Sequence, residues 1–204
     1  MFADSVIAWA ITLVCAYLMG SFSTSITVAK LFYHQDIRKM GSGNAGATNT
    51  LCNYGVKKAL LVMLGDSLKA ILAMVLAKLL VEQDGVLYAG SMAVVGHIFP
   101  AYYGLRGGKG VMSAAAMILF FDWRMFLVVL VIFAVVVVLT RYVSLGSILA
   151  AVSLGIFFGV MYLDHPWVMA GGIFMAVLAI FMHRGNIQRL VKGTERKQSF
   201  SRKG

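Results

Sequence analysis

The stretch MFLVVLVIFAVVVVLT, residues 125–140, decides the fold class of this chain. It runs for 16 residues without a charged side chain. The hydrocarbon core of a bilayer offers no partner to open backbone N–H and C=O groups, so an apolar run of this kind crosses it as a helix. The stretch therefore predicts a membrane-spanning α-helix.

Six further apolar runs accompany it, at 6–26, 59–81, 86–103, 111–121, 145–163 and 167–182. The chain of 204 residues is 60% hydrophobic and 13% charged, and its mean hydropathy is +0.85. A soluble domain is about 45–50% apolar and about 25% charged. We therefore expect an all-α integral membrane protein with seven transmembrane helices, forming a single domain over 1–204 with a short basic tail at 184–204.

The charges between these runs predict the orientation. Basic segments follow the first, third, fifth and seventh runs, and acidic or mixed segments follow the others, at 82–85, 121–124 and 163–166. Because lysine and arginine collect on the cytoplasmic side, the N-terminus is expected outside and the C-terminus in the cytoplasm. The net charge of +10 is then explained by the membrane, and no nucleic acid is expected as a partner.

The first polar segment on the cytoplasmic side is DIRKMGSGNAGATNT, residues 36–50. Glycines there permit unusual backbone angles, and hydroxyl and amide side chains surround them. A segment of this kind can wrap an oxyanion with backbone N–H groups, although glycine- and serine-rich segments are often plain flexible loops. We favour a substrate-binding site that includes Gly41, Ser42, Gly43, Asn44, Thr48 and Asn49.

A second such segment is GHIFPAYYGLRGGKG, residues 96–110. It lacks the order of a P-loop, but glycine N–H groups, two cations and a following helix N-terminus all suit a phosphate. The cations alone are also explained by the positive-inside rule. The candidate binding residues are Arg106, Gly107, Gly108, Lys109 and Gly110, while His97 is more typical of a satisfied structural group.

Two shorter segments carry polar side chains three residues apart. Ser144 and Ser147 share a helix face, where serines often only join helices. His183 and Asn186 are placed to orient a hydroxyl nucleophile or to assist its deprotonation. Asp66 and Lys69 lie inside the second run, where they either form a structural ion pair or face the site.

The order of these motifs resembles that of a known family. GSGNAGATNT (41–50), GDSLKA (65–70), GHIFPAYYGLRGGKGV (96–111), RYVSLGS (141–147) and HRGNIQRL (183–190) are similar to the bacterial PlsY family of acyl-phosphate:glycerol-3-phosphate acyltransferases. The resemblance covers nearly the whole chain. It implies a multi-pass protein of the bacterial inner membrane with its active site on the cytoplasmic side.

The resemblance also implies a reaction. The acyl group of an acyl phosphate passes to the 1-hydroxyl of glycerol 3-phosphate, giving lysophosphatidic acid and phosphate, with neither metal nor other cofactor. By position it assigns Ser42, Lys109, His183 and Asn186 to the active site, and it implies an upstream phosphate acyltransferase that makes the donor. Cys52 stands where the family usually has a phosphate-binding arginine.

Two alternatives stay open. A divergent relative would act on another acceptor, and a transporter for phosphorylated metabolites would also need an inner anion-binding cleft. Transporters place their sites near the midplane between inverted repeats. Because the polar groups here collect at one face, without a convincing internal repeat, the sequence favours the enzyme.

Overall fold

The computed structural model describes residues 5–83 and 85–198, and within these ranges it contains helices and no strands. The chain divides into two compact units, and the first ends at Phe121. The first unit contains α1 (Val6–Ser21), α2 (Thr24–Tyr33), α3 (Ala47–Leu80), α4 (Gly85–Ile98) and α5 (Val111–Phe121). The second contains α6 (Trp123–Thr140), α7 (Val143–Met161), α8 (Pro166–Met182) and α9 (Arg184–Val191).

Length and composition qualify most of these helices as membrane spans. In the described part of the chain, five segments are long and apolar enough to cross a membrane: Val6–Tyr33, Ala47–Leu80, Gly85–Tyr103, Trp123–Thr140 and Val143–Met161. The pair of α8 and α9, which is bent by 53°, is a sixth candidate if it is taken as one span. α5 has 11 residues and is only about 16 Å long, about half of a bilayer core. The membrane class is confirmed, while the count of seven crossings and the orientation stay predictions.

The expectation of one continuous helix over 6–26 was wrong. α1 ends at Ser21, Phe22 is extended, and α2 begins anew at Thr24. The physical reason is a cluster of hydroxyl residues, since the Ser23 hydroxyl accepts from the N–H of Ile26 at 3.4 Å and so caps α2. The break leaves the Phe22 carbonyl open to another donor.

The predicted loop 36–50 and the predicted third run are also shorter than expected. α3 already begins at Ala47, behind Gly46, and is interrupted at Gly55, where φ is 80°. α4 ends at Ile98, and a short 3-10 turn follows at Ala101–Tyr103. The earlier start of α3 places Thr48 and Asn49 in its first turn.

Small residues let the helices of each unit approach closely. In the first unit α1 packs on α4, where a side chain at Gly20 would overlap the backbone of Ala93. In the second unit α7 packs on α8, and Gly172 lies against the ring of the buried Phe158. Without a hydrophobic force between helices in lipid, such close contact is the main source of packing energy.

Candidate active site

Asn49 organises the first glycine segment. Its Nδ2 group donates to the carbonyls of Ile37, Met40 and Asn44 at 3.0–3.1 Å. Its Oδ1 atom accepts from the N–H of Ser42 at 3.0 Å. Asn49 is buried, so its amide ties the segment together, and the neighbouring side chains rather than its own are open to a ligand.

The segment held by Asn49 has the backbone that its glycines predicted. Gly41 and Gly43 have φ values of 56° and 72°, in the left-handed region that glycine adopts without strain. Ser42 and Thr48 are exposed and Asn44 is half-buried. The Ser42 hydroxyl makes no hydrogen bond to another residue of the described part, so no base is positioned to activate it.

Arg38 joins the two glycine segments. Its guanidinium forms an ion pair with Asp36 at 2.8 Å and donates to the carbonyls of Tyr103 at 2.7 Å and Arg106 at 3.2 Å. The hydrogen-bonded Arg38 lowers the pKa of Asp36 below its ordinary value. The sequence indicated Arg38 only as a basic loop residue, and its role in joining 36–44 to 103–106 comes from the fold.

The N–H groups of Gly107 and Gly108 are not open to a ligand, contrary to the expectation from the sequence. They donate to the carbonyls of Ile98 and His97 at 3.1 and 3.2 Å. They thereby satisfy the end of α4, whose last carbonyls lack helical partners. The lack of a side chain at Gly108 instead lets the two glycine segments approach each other closely, because a Cβ atom there would overlap both His97 Nε2 and the Ala45 carbonyl.

The remaining residues of the second segment point to the start of α5. Arg106 is exposed, Lys109 is half-buried, and Gly110 is buried with φ of 77°. The Gly110 carbonyl accepts from Ala114 at 2.7 Å, so the open N–H groups of the first turn of α5 directly follow Lys109. A cation beside a helix N-terminus favours an anionic group.

Asp66 and Lys69 form the ion pair that the sequence offered as one alternative. Lys69 Nζ lies 3.2 Å from Asp66 Oδ1, and both side chains are buried. The pair also has partners that the sequence did not predict, since Thr24 donates to Asp66 at 3.2 Å and Lys69 Nζ lies 2.9 Å from His97 Nδ1. Residues that are 28 and 42 positions apart meet here because α2 and α4 pack on α3.

In the second unit, Glu195 accepts hydrogen bonds from polar side chains of two helices, α7 and α9. Its Oε1 atom accepts from Ser144 Oγ and Asn186 Nδ2, each at 2.6 Å, and its Oε2 atom accepts from Arg189 Nε at 2.7 Å. Burial acts to raise the pKa of Glu195, but these three hydrogen bonds outweigh it and hold the pKa below its ordinary value. The sequence offered no signal beyond a single acid in a basic tail.

Glu195 also changes the description of that tail. Residues 184–191 form α9, and the chain then folds back, where Gln198 N donates to the Arg141 carbonyl at 2.8 Å. Residues 199–204 of the predicted tail lie outside the described residues. The part of the tail up to residue 198 is therefore packed on the second unit. The basic composition of the tail did not predict this packing.

His183 and Ser147 differ in what they offer. His183 Nδ1 lies 2.8 Å from the Ala179 carbonyl, and because a carbonyl only accepts, this nitrogen carries the proton. A neutral ring then has its lone pair on Nε2, as a base requires. Ser147 donates to the Val143 carbonyl of its own helix at 3.1 Å, so this hydrogen bond lies within α7 and does not join two helices.

The long apolar helices define an all-α integral membrane protein, and its polar segments collect at the ends of these helices. The family model of glycerol-3-phosphate acyltransferases matches residues 10–193. The chain therefore belongs to the glycerol-3-phosphate acyltransferase family, whose activity lies in phospholipid synthesis.

Relatives and solved structures agree with this membership. The glycerol-3-phosphate acyltransferase of Finegoldia magna is 40% identical over 91% of this chain and 93% of its own length, and that of Syntrophomonas wolfei is 42% identical over 91% and 94%. The crystal structure of PlsY, an integral membrane glycerol 3-phosphate acyltransferase, superposes in its glycerol 3-phosphate form with a TM-score of 0.86 and 33% identity, covering 94% of this chain and 96% of that one. Its lysophosphatidic acid form superposes with a TM-score of 0.83 at 32% identity, covering 94% and 95%.

Proposed function

We propose that this protein transfers an acyl group from an acyl phosphate to the 1-hydroxyl of glycerol 3-phosphate. The hydroxyl oxygen attacks the acyl carbon and forms the ester bond. The bond between the acyl carbon and the phosphate oxygen breaks, and inorganic phosphate leaves with the proton of the hydroxyl. The products are lysophosphatidic acid and phosphate.

One observation carries this proposal: the two glycine segments form one surface in the first unit. Gly108 lies against the Ala45 carbonyl, and Arg38 bonds to the backbone of the second segment from within the first. The same surface has the exposed Ser42 and the half-buried Lys109. A surface that combines hydroxyl, cation and helix N-terminus suits a phosphate group, which both proposed substrates contain.

The chemistry of the donor explains why no activated side-chain nucleophile is required. An acyl phosphate is a mixed anhydride whose leaving group is already good. The enzyme then has to align two anionic substrates and stabilise the charge that develops in the transition state. Ser42 and Lys109 are assigned to these tasks, and the contributing binding residues are Gly41, Gly43, Asn44, Thr48, Arg106, Gly110 and Ser144. Asn49, Gly107, Gly108 and Ser147 instead shape the segments that carry them, because their polar groups bond within the protein.

His183 and Asn186 are proposed to orient the attacking hydroxyl. The bond from His183 Nδ1 to Ala179 fixes the ring, and the bond from Asn186 to Glu195 fixes the amide. The charge pattern supports an active site on the cytoplasmic side of the bacterial inner membrane. An upstream phosphate acyltransferase would supply the donor there, and the acyl chains of both lipids would remain in the bilayer.

The test measures phosphate release and product formation by the purified protein given palmitoyl phosphate, with and without glycerol 3-phosphate. We expect release that depends on the acceptor and yields lysophosphatidic acid. Lys109→Ala should decrease the rate by about 100-fold, because a hydrogen bond to a charged group contributes about 1.5–3 kcal/mol. Lys78→Ala is the matched control, since Lys78 is an exposed lysine at the far end of α3.

Four outcomes would contradict the proposal. Folded protein without acceptor-dependent release is one, and equal rates of Lys109→Ala and Lys78→Ala are another. A trapped acyl-enzyme intermediate would exclude direct attack. Transfer from palmitoyl phosphate to a different alcohol, with glycerol 3-phosphate inert, would indicate the divergent relative with another acceptor.

A further inference from the structure

We propose that His97 is a direct substrate contact, whose Nε2–H donates to a phosphoryl oxygen bound against Gly108. Lys69 and Asp66 are positioning residues that hold the ring in this state. The inference rests on the proposed function only in taking the ligand to be a phosphate compound. It assigns a role to the buried ionic cluster of Asp66, Lys69 and His97, which the proposed reaction does not use.

Lys69 uses all of its hydrogen-bonding capacity inside the protein. An ammonium group has three N–H donors. Three acceptors surround Lys69 Nζ, namely the Phe22 carbonyl at 2.7 Å, His97 Nδ1 at 2.9 Å and Asp66 Oδ1 at 3.2 Å. The Phe22 carbonyl is available because α1 breaks at that residue, so the helix break and the ion pair belong to one arrangement.

This arrangement decides which nitrogen of His97 carries the proton. An ammonium only donates, so Nδ1 at 2.9 Å has to accept and is unprotonated. The alternative is a proton on Nδ1 that is donated to Asp66 Oδ1 at 3.5 Å. That proton would lie against the N–H groups of Lys69, whose Nζ atom is closer, at 2.9 Å. With Nδ1 accepting from Lys69, the ring carries its proton on Nε2.

Nε2 points to the junction of the two glycine segments. The His97 side chain is 96% buried, and a Cβ atom at Gly108 would overlap Nε2 and the Ala45 carbonyl together. In residues 5–83 and 85–198, Nε2 makes no hydrogen bond to another side chain or backbone group. The N–H group at Nε2 is therefore available to a phosphoryl oxygen bound at this junction.

The cluster provides this donor without adding net charge. Asp66 and Lys69 neutralise each other, and the Thr24 hydroxyl and the Phe22 carbonyl complete their hydrogen bonds. Ionisable residues at membrane depth are costly and rarely retained without a purpose. Here their effect is to fix a neutral imidazole as a donor beside Lys109, which supplies the positive charge.

The decisive experiment is ¹⁵N NMR of the full-length protein in detergent, labelled at its four histidines. The His97 signals are assigned by their loss in His97→Gln. We expect a neutral ring protonated at Nε2, and a shift of the Nε2 signal on adding a phosphate compound. Glycerol 3-phosphate and hexadecylphosphonate are added separately, so that the shift identifies acceptor or donor as the source of the phosphoryl group.

Two variant pairs separate a direct role from a merely structural one. Glutamine places an N–H donor near the position of Nε2 and asparagine near that of Nδ1, so His97→Gln should retain activity within about tenfold while His97→Asn loses about 100-fold. Lys69→Met should abolish the preference for Nε2–H in the NMR spectrum, whereas Ser67→Ala, at a half-buried position of the same helix, should leave it unchanged.

A ring protonated at Nδ1, or a signal that neither phosphate compound shifts, would overturn the inference, and so would equal activities of His97→Gln and His97→Asn. The NMR arms need no turnover. Failure of the proposed function would therefore appear as an inactive wild-type protein, independently of the state of His97.

Discussion

Asn186 donates to Glu195 Oε1 over 2.6 Å, although Glu195 lies beyond the end of the helix that contains Asn186. The carboxylate accepts from Ser144 at the same time. A residue assigned to catalysis is thus held by an acid from the part of the chain that we expected to be only a basic tail.

Glu195→Gln should therefore lower kcat by about tenfold or more. The neutral amide turns one acceptor atom into a donor that faces Ser144 and Asn186 or Arg189, and each lost hydrogen bond to a charged group amounts to about 1.5–3 kcal/mol. Initial rates with palmitoyl phosphate and glycerol 3-phosphate measure this. Glu82→Gln is the control, because Glu82 lies in the turn after α3. Unchanged kcat in Glu195→Gln would show that Asn186 is oriented by other contacts.

The same carboxylate predicts an acid limit of stability. Because the folded pKa of Glu195 lies below its ordinary value, its contribution is present above the unfolded pKa of about 4.3 and is lost as pH falls through the folded pKa. Arg38 also lowers the pKa of Asp36, so this carboxylate contributes to stability in the same direction. The thermal stability of the wild type should decrease below about pH 4, and that of Glu195→Gln should decrease less steeply. Parallel curves for the two proteins would exclude this contribution.

Asn49→Ala should disrupt the first glycine segment. The substitution removes the donor for three carbonyls and the acceptor for the Ser42 N–H. With about 1–3 kcal/mol for each buried group left unpaired, we expect a loss of at least about 2 kcal/mol and faster hydrogen exchange at Ser42. Thr48→Ala, at an exposed neighbouring position, should leave stability unchanged. An exchange rate at Ser42 equal to that of the wild type would contradict this role of Asn49.

Gly108→Ala should be harmful because of space rather than backbone angle. The added Cβ would overlap His97 Nε2 and the Ala45 carbonyl, and such overpacking is unfavourable by about 1–3 kcal/mol. Activity should fall by about 10- to 100-fold. Gly159→Ala is the matched control, because its Cβ would meet only Ile173 Cδ1 at 3.9 Å. Similar activities of the two variants would mean that the two segments separate easily.

Cys52→Arg should lower the KM for glycerol 3-phosphate. Cys52 is exposed in the first turns of α3. The Nζ atom of nearby Lys58 lies 3.1 Å from the centre of the Phe32 ring, so its charge is already engaged there. A guanidinium binds phosphate with two parallel hydrogen bonds, which should lower KM by about tenfold. Cys52→Gln, of comparable length without the charge, is the control. Equal KM values for the two variants would indicate that no phosphate binds near position 52.

The membrane class and the main polar segments were determined by the sequence itself. Apolar runs without charge have few alternatives in lipid, so the helices of residues 111–121 and 125–140 were predicted within a few residues of their ends. Glycine at 41 and 43 likewise indicated unusual backbone angles, which are left-handed in the structure. These features depend on near neighbours in the chain.

Only the tertiary structure decided which polar groups meet. Asp66 and Lys69 are recognisable as a pair from their spacing, but His97 joins them from another helix. Glu195 reaches Ser144 across 51 residues, and the glycine N–H groups of the second segment turn back to α4. Hydrogen bonds are satisfied by whichever partner the packing brings near, and helix packing in lipid depends on small-residue contacts that the local sequence does not specify.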